Sequence, residues 1–238
     1  MNAPDGVVLE LRRHPVKSVE GELLDECPVD RRGLVGDRLW AVCDPDGKLG
    51  SGKSSRRFRR MDGLRELVAA YQGEVPVVTF PDGSTVRGDG REIHERLSGH
   101  VGRPVRLEQE GSVSHFDDGP VHLVTTAAVR ALEAATGSPV DPRRTRANVL
   151  VDWPGDAFAE DAWLGERVSV GDEVVLEITM LMPRCVMVNA PSRDLPPAPD
   201  VLRTLHEVND GTLGVLAEVV RTGVVRRGDR LRRLGLAR

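Results

Sequence analysis

The chain is predicted to be mainly β with a few short helices, a β-rich α+β architecture, and three observations carry that prediction. Apolar residues alternate with polar ones over short runs instead of recurring at helical spacing through long windows. The 25 glycines and 16 prolines punctuate those runs as turn residues. The segments that do carry helical spacing are few and short.

The first third reads as strands in GVVLELRRHPVKS, ELLDECPV and RLWAVCDPDG, each cut by Gly, Pro or Asp. Residues 47–60 form a Gly- and Ser-containing loop with Lys48, Lys53, Arg56, Arg57, Arg59 and Arg60 and no acidic residue. The spacing of Leu64, Leu67, Val68 and Tyr71 predicts a helix in GLRELVAAY, and VPVVTF with PDGS and STVRG predicts a hairpin. A second helix, GREIHERLSGHVG, stops at glycine before the strand RPVRLEQ. The polar segment EGSVSHFDDGP, residues 110–120, connects two halves. Beyond it come the strand VHLVT, the helix TAAVRALEAATG, the strand RANVLVD, and the paired strands ERVSVG and EVVLEITMLM. After Cys185 follow the proline-rich LPPAPD, the helix DVLRTLHEV with Asp200 as N-cap, and the strands GVLAEVV and DRLRRL.

At 238 residues the chain can bury a substantial core, and its 39% hydrophobic and 29% charged shares are those of an ordinary globular protein. A formal net charge of -4 supplies no basic field for nucleic acid. No 18-residue apolar run and no signal-peptide pattern is present, so a cytoplasmic location without membrane insertion is expected. Cys27, Cys43 and Cys185 lack the paired spacing of a disulfide framework, a zinc site or an iron–sulfur cluster. The six histidines show no paired metal-ligand spacing.

GKLGSGKS at 47–54 satisfies the phosphate-loop pattern. Such a loop works because a helix begins at Lys-Ser and turns its N–H groups and dipole toward the phosphates. Here SRRFRRMDG follows, without an apolar helical stripe, and the flanking segments read as antiparallel strands. A solvated or anion-facing basic loop is the better reading. An NTPase would require nucleotide binding that depends on Lys53.

GPVHLVTTAAV, RTRANVLVD, AFAEDAWLG, PRC at 183–185 and TLGVLAEVVRTGVVRRGD, in that order, resemble the MOSC domain, named for the C-terminal domain of molybdenum cofactor sulfurases. HPVKS at 14–18 and GDRLW at 36–40 resemble its N-terminal β-barrel partner, so the resemblance spans nearly the whole chain. It implies a MOSC N-terminal barrel-like domain over residues 1–110 and a MOSC domain over 111–238. It also implies a molybdenum cofactor, molybdenum bound to molybdopterin, with Cys185 as the thiolate ligand and the catalytic position. Lys17, Ser18, Arg38, Thr125, Thr126, Arg146 and Asn148 match cofactor-holding positions, and Arg184 adds charge beside the cysteine. Lys53 is a candidate for the entrance. Where relatives carry a small polar residue before the Arg-Cys pair, this chain has Pro183.

The residue chemistry agrees with that implication. A molybdenum–pterin group demands a soft donor for the metal and cations or N–H groups for its anionic tail. The activity implied is an oxidoreductase reducing N-hydroxylated or N-oxygenated compounds. Its partners would be a small-molecule substrate and an external redox protein of ferredoxin or flavoprotein type. The alternative is a carrier of the cofactor, or of sulfur as a Cys185 persulfide, without turnover.

Overall fold

The computed structural model describes residues 5–236. The strands of the first half are β1 (Gly6–Arg13), β2 (Glu22–Leu24), β3 (Glu26–Asp30), β4 (Gly33–Leu34), β5 (Trp40–Cys43), β6 (Leu49–Ser51), β7 (Phe58–Arg60), β8 (Val68–Gln72), β9 (Val75–Thr79), β10 (Thr85–Arg87) and β11 (Arg106–Gln109), with helix α1 (Glu92–Val101). The second half holds β12 (Val121–Thr125), α2 (Thr126–Thr136), β13 (Val149–Asp152), β14 (Glu166–Val170), β15 (Val174–Pro183), α3 (Val201–Asn209), β16 (Thr212–Arg221), β17 (Gly223–Arg226) and β18 (Arg230–Leu236).

Seven strands close into a barrel in the order β13-β12-β16-β15-β14-β18-β1, with β1 returning to β13 and β2 paired on the outside of β1. Closure removes the open edges that a sheet this wide would otherwise present. Every pairing in the ring is antiparallel except β12 with β13, whose parallel register is bridged by α2. The period of two explains why VHLVT is apolar almost throughout. Val121 and Leu123 point into the barrel core, whereas Val124 points outward beneath α2 and α3. Leu150 between Val149 and Val151, and Leu213 ahead of Val215, divide in the same way.

The first half makes its own smaller core from Val16, Val42, Leu64, Leu67, Val78, Ile93, Leu97 and Leu107 around two small sheets and α1. The halves interlock. β1 closes the barrel of the second half, and β17 pairs with β3 of the first.

One predicted helix is replaced by other structure. GLRELVAAY forms a single 3₁₀ turn at Leu64–Glu66 followed by β8. Leu64 and Leu67 share a face over one turn, but Leu67 and Ala69 then alternate inward, and β9 offers β8 a complete ladder from Val68↔Thr79 to Gln72↔Val75. Cross-strand pairing therefore outweighs a helical spacing only two turns long. The other helices stand where expected, α1 and α2 each ending at a left-handed glycine, Gly102 and Gly137. Asp200 precedes α3, but its carboxylate accepts from Arg203 instead of capping a backbone N–H. Residues 47–54 contain strand β6 and no helix follows them, so the N–H groups of a phosphate loop are not assembled.

Gly214 in β16 is required by the barrel. Its φ of +78° is left-handed, and a Cβ there would overlap the Leu123 carbonyl and the Val124 side chain. Gly214→Ala is expected to cost about 3 kcal/mol, combining left-handed strain with displacement of β12. At roughly 2–4 °C per kcal/mol for a chain of this length, thermal melting should show a fall of about 6–12 °C.

Candidate cofactor site

β15 ends at Pro183, and the chain then turns through Arg184 and Cys185 into a short 3₁₀ turn, Val186–Val188. That exit from the barrel leaves Cys185 exposed, whereas Cys27 and Cys43 are buried. Burial pushes their thiols up, to about 11 for Cys27 and about 12 for Cys43, so both stay protonated near neutrality.

Cys185 faces a cleft of about 270 Å³ whose walls come from both halves of the chain. Lys17, Ser18, Arg38, Lys53, Arg146, Asn148 and Arg184 line it with Cys185, so the fold gathers eight of the ten predicted site residues. Thr125 and Thr126 are not among them. Thr125 Oγ1 accepts from the Ala128 N–H and donates to buried Glu160, which makes it the N-cap of α2. Thr126 Oγ1 donates to Asp152 and accepts from the Trp153 N–H. Their hydroxyls are consumed in anchoring α2, which is why they do not serve the cleft.

Asn148 also spends its polar atoms on the frame, accepting from the His122 N–H at 3.1 Å and donating to the Arg12 carbonyl at 3.2 Å. It is a strut behind the cleft. Lys53 stands at the exposed rim, with its ammonium 5.3 Å from the centre of the Phe58 ring.

The cationic groups deeper in the cleft are held by backbone carbonyls. Lys17 Nζ donates to the His115 carbonyl and to the Asp117 carboxylate, both at 2.7 Å. Arg38 pairs with buried Asp37 and donates to the Arg146 carbonyl at 3.0 Å. Arg184 donates through one terminal nitrogen to the Thr145 carbonyl at 2.7 Å, and Arg65 donates to the Met187 carbonyl at 2.9 Å. Asp117 and Asp37 offset the charges of Lys17 and Arg38, whereas Arg65, Arg146 and Arg184 have no carboxylate partner among the described residues. Nη2 of Arg146, Nε and Nη1 of Arg184, and Nε of Arg65 are buried donors with no partner in the protein.

Six cations line the cleft (Lys17, Arg38, Lys53, Arg65, Arg146 and Arg184) against two acids, Asp117 and Asp118. Burial, reinforced by neighbouring Arg38, pushes Arg146 down to about 9 and Arg184 to about 10. Burial likewise lowers Lys17 to about 8, although Asp117 works in the opposite direction. Each depressed cation would be relieved by an anion arriving among them.

The backbone is committed to the same place. Six non-glycine residues among those described have positive φ, and three of them, Ser18 (+65°), Arg38 (+49°) and Arg146 (+55°), line this cleft. Left-handed backbone costs roughly 1–3 kcal/mol per residue. Concentrating it at these positions indicates that side-chain direction here outweighs backbone comfort.

Two contributors escape sequence reasoning. Arg65 lies in a segment whose helical spacing draws attention to its leucines, and Asp117 lies in the polar connection between halves. Both reach the cleft only through tertiary packing. The HPVKS segment did carry a signal for a third, His14, which is fully buried beneath Arg38 and Arg146. Neither of its ring nitrogens has a partner, and burial holds it neutral.

This is a cation-lined cleft with one open thiol, set between a seven-stranded barrel and a smaller β unit. The family model of the MOSC domain matches residues 110–232, and that of the MOSC N-terminal beta barrel domain matches residues 5–101. The chain belongs to the MOSC family, whose domains occur in molybdenum-cofactor-binding proteins. Among solved structures, the YUAD protein from Bacillus subtilis aligns over 99% of this chain and 98% of its own, at 15% identity and a TM-score of 0.55. That likeness is one of fold. YiiM from Geobacillus stearothermophilus aligns over 51% of this chain and 56% of its own, at 17% identity and a TM-score of 0.38. No curated protein matches the chain. Among the described residues no helix is long and apolar enough to cross a membrane.

The cleft fits the molybdenum cofactor by its donor set. Cys185 offers the soft thiolate that molybdenum takes, and the unpartnered N–H groups of Arg146, Arg184 and Arg65 offer donors to an anionic pterin tail. Among the described residues no group of three or more His, Cys, Asp or Glu gathers.

The folded value of Lys17, about 8, lies below the ordinary 10.5, so its buried charge disfavours the anion-free fold in full below pH 8, and that penalty fades as pH rises from 8 to 10.5. A bound anion needs the protonated form. Sulfate affinity, followed by calorimetry, should fall as pH rises from 7 to 9, and the Lys17→Met variant should lose the part of that fall centred near pH 8 while keeping the part that Arg146 contributes near pH 9.

Proposed function

We propose that this protein binds the molybdenum cofactor through Cys185 and reduces N-hydroxylated or N-oxygenated compounds, with electrons from an external redox protein. The observation that carries this reading is the exposed thiol beside a bank of buried guanidinium donors that have no partner within the protein. When bound, the cofactor supplies the two-electron chemistry that removes oxygen from nitrogen.

The protein's own part is positional. Arg146, Arg184 and Arg65 hold the anionic tail, and Arg38 braces Arg146 through its carbonyl. Lys17 carries a proton that it loses near pH 8 and shares a hydrogen bond with Asp117 at the cleft wall. Cys185, on a turn fixed by the bond from the Val188 N–H to its own carbonyl, supplies the thiolate from one side.

The exposure of Cys185 also suits a carrier that hands over cofactor or sulfur. Turnover separates the two. Protein expressed with cofactor available should contain molybdenum by mass spectrometry and pterin by fluorescence. With a chemical reductant it should convert benzamidoxime to benzamidine, taking up two electrons and two protons and releasing water. Loaded protein that reduces no hydroxylamine or amidoxime, yet transfers its cofactor to an apo-enzyme, would establish the carrier instead.

A further inference from the structure

A second cavity, of about 940 Å³, adjoins the cofactor cleft and shares Ser18, Arg65 and Met187 with it. Cys185 opens the turn Val186–Val188, of which Val186 lines only the large cavity and Met187 lines both. The two spaces are thus separated by one turn of chain beside the thiol. The partition is held in place, because the Met187 thioether packs against Gly52 where any Cβ would overlap it.

The two compartments differ electrically. The cleft has six cations against two acids, whereas in the large cavity, apart from shared Arg65, Arg60 and Arg193 are balanced by Asp62 and Glu66. Arg60 and Asp62 pair directly at 2.9 Å. The remaining wall is rich in Met61, Leu64, Pro81, Pro191, Pro197 and Pro199. Rigid apolar walls of this kind lose little freedom on binding and favour uncharged, flat or branched hydrocarbon.

Resting on the reductase reading, the geometry points to the large cavity as the compartment for the uncharged aryl or alkyl body of an N-hydroxylated substrate, whose N–OH head reaches past Met187 toward Cys185. The cofactor's anionic tail takes the cationic cleft, and charge balance keeps the two ligands apart. Hydroxylamine, which has no body, does not use the compartment.

Two variants test this. Val186→Trp places an indole on a wall residue that is 58% exposed, and Ala190→Trp narrows the cavity from a second wall position four residues further along the chain. Benzamidoxime binding is titrated by saturation-transfer NMR on cofactor-loaded protein without reductant, and thermal melting verifies that each variant is folded. Both variants should weaken binding by about tenfold or more, within the range that a misfitting apolar group costs. With reductant, KM for benzamidoxime should rise in parallel in both variants, and by a larger factor than KM for hydroxylamine. Wild-type binding and KM for benzamidoxime in both folded variants would overturn the compartment and leave the reductase reading standing. Weakened binding in the variants of a protein that turns over nothing would overturn the reductase reading and leave the compartment standing.

Discussion

Cys185→Ser is expected to abolish measurable benzamidoxime reduction while leaving the pterin content of the loaded protein close to that of wild type. The two effects separate because different residues carry them. The proposed metal ligand is the one exposed thiol, and a serine hydroxyl is a harder donor that stays protonated at neutral pH. In the proposed binding mode Arg146, Arg184 and Arg65 would hold the pterin tail, and none of them changes. The loss should exceed the roughly 100-fold that removal of a supporting residue costs at metal sites, because Cys185 is the ligand itself. Cys27→Ala and Cys43→Ala serve as controls, since both thiols are buried away from the cleft. Reductant-dependent assay together with pterin fluorescence tests the pair of outcomes. Full turnover by Cys185→Ser would remove the thiolate from the mechanism.

Arg146→Met is expected to act in opposite directions on stability and on binding. Arg146 holds a buried guanidinium, one nitrogen of which has no partner, and its environment lowers its pKa to about 9. Replacing Arg146 by hydrocarbon of similar length relieves the desolvation of its charge, a gain of up to about 1–4 kcal/mol on the scale of buried ionic groups replaced by apolar ones. In the absence of anion the variant should therefore melt higher, by roughly 2–4 °C per kcal/mol gained. The left-handed backbone at +55° is neutral to the exchange, because Arg and Met carry the same penalty there. Sulfate affinity should fall, since a charge-assisted hydrogen bond contributes about 1.5–3 kcal/mol, or roughly 10- to 150-fold. Arg184→Met should behave alike, having two unpartnered nitrogens in place of one. Scanning calorimetry with and without sulfate reads both signs at once. A variant that melts lower in both conditions would show that Arg146 serves the fold and not a ligand.

Much of the fold was legible in the chain because its signals are local. The alternation in ERVSVG and the short apolar runs in VHLVT and EVVLEITMLM mark β14, β12 and β15, and glycine stops mark the ends of α1 and α2. The failure at GLRELVAAY is equally physical. Two helical turns of apolar spacing do not outweigh a ladder along the whole of β9, and only the position of β9 in space makes that ladder available. The phosphate-loop pattern at 47–54 fails for the converse reason: the residues match, but no helix follows to turn their N–H groups toward a ligand.

The same division holds at the site. The residue types, a cysteine after Pro-Arg and basic residues in HPVKS, GDRLW and RTRANV, are a property of the chain and point to a soft metal with an anionic tail. Their number and roles are a property of the packing. Thr125 and Thr126 turn to anchoring α2, Asn148 becomes a strut, and Arg65 and Asp117 arrive from segments without a motif. Hydrophobic period and turn chemistry act over a few residues, so the sequence alone determined which elements form and which chemistries are on offer. Lys17 and Cys185 lie 168 positions apart. Only closure of the barrel, with β1 returning to β13 and β17 joining β3, decided that they share one cleft, because burial and charge depression arise from neighbours distant in the chain.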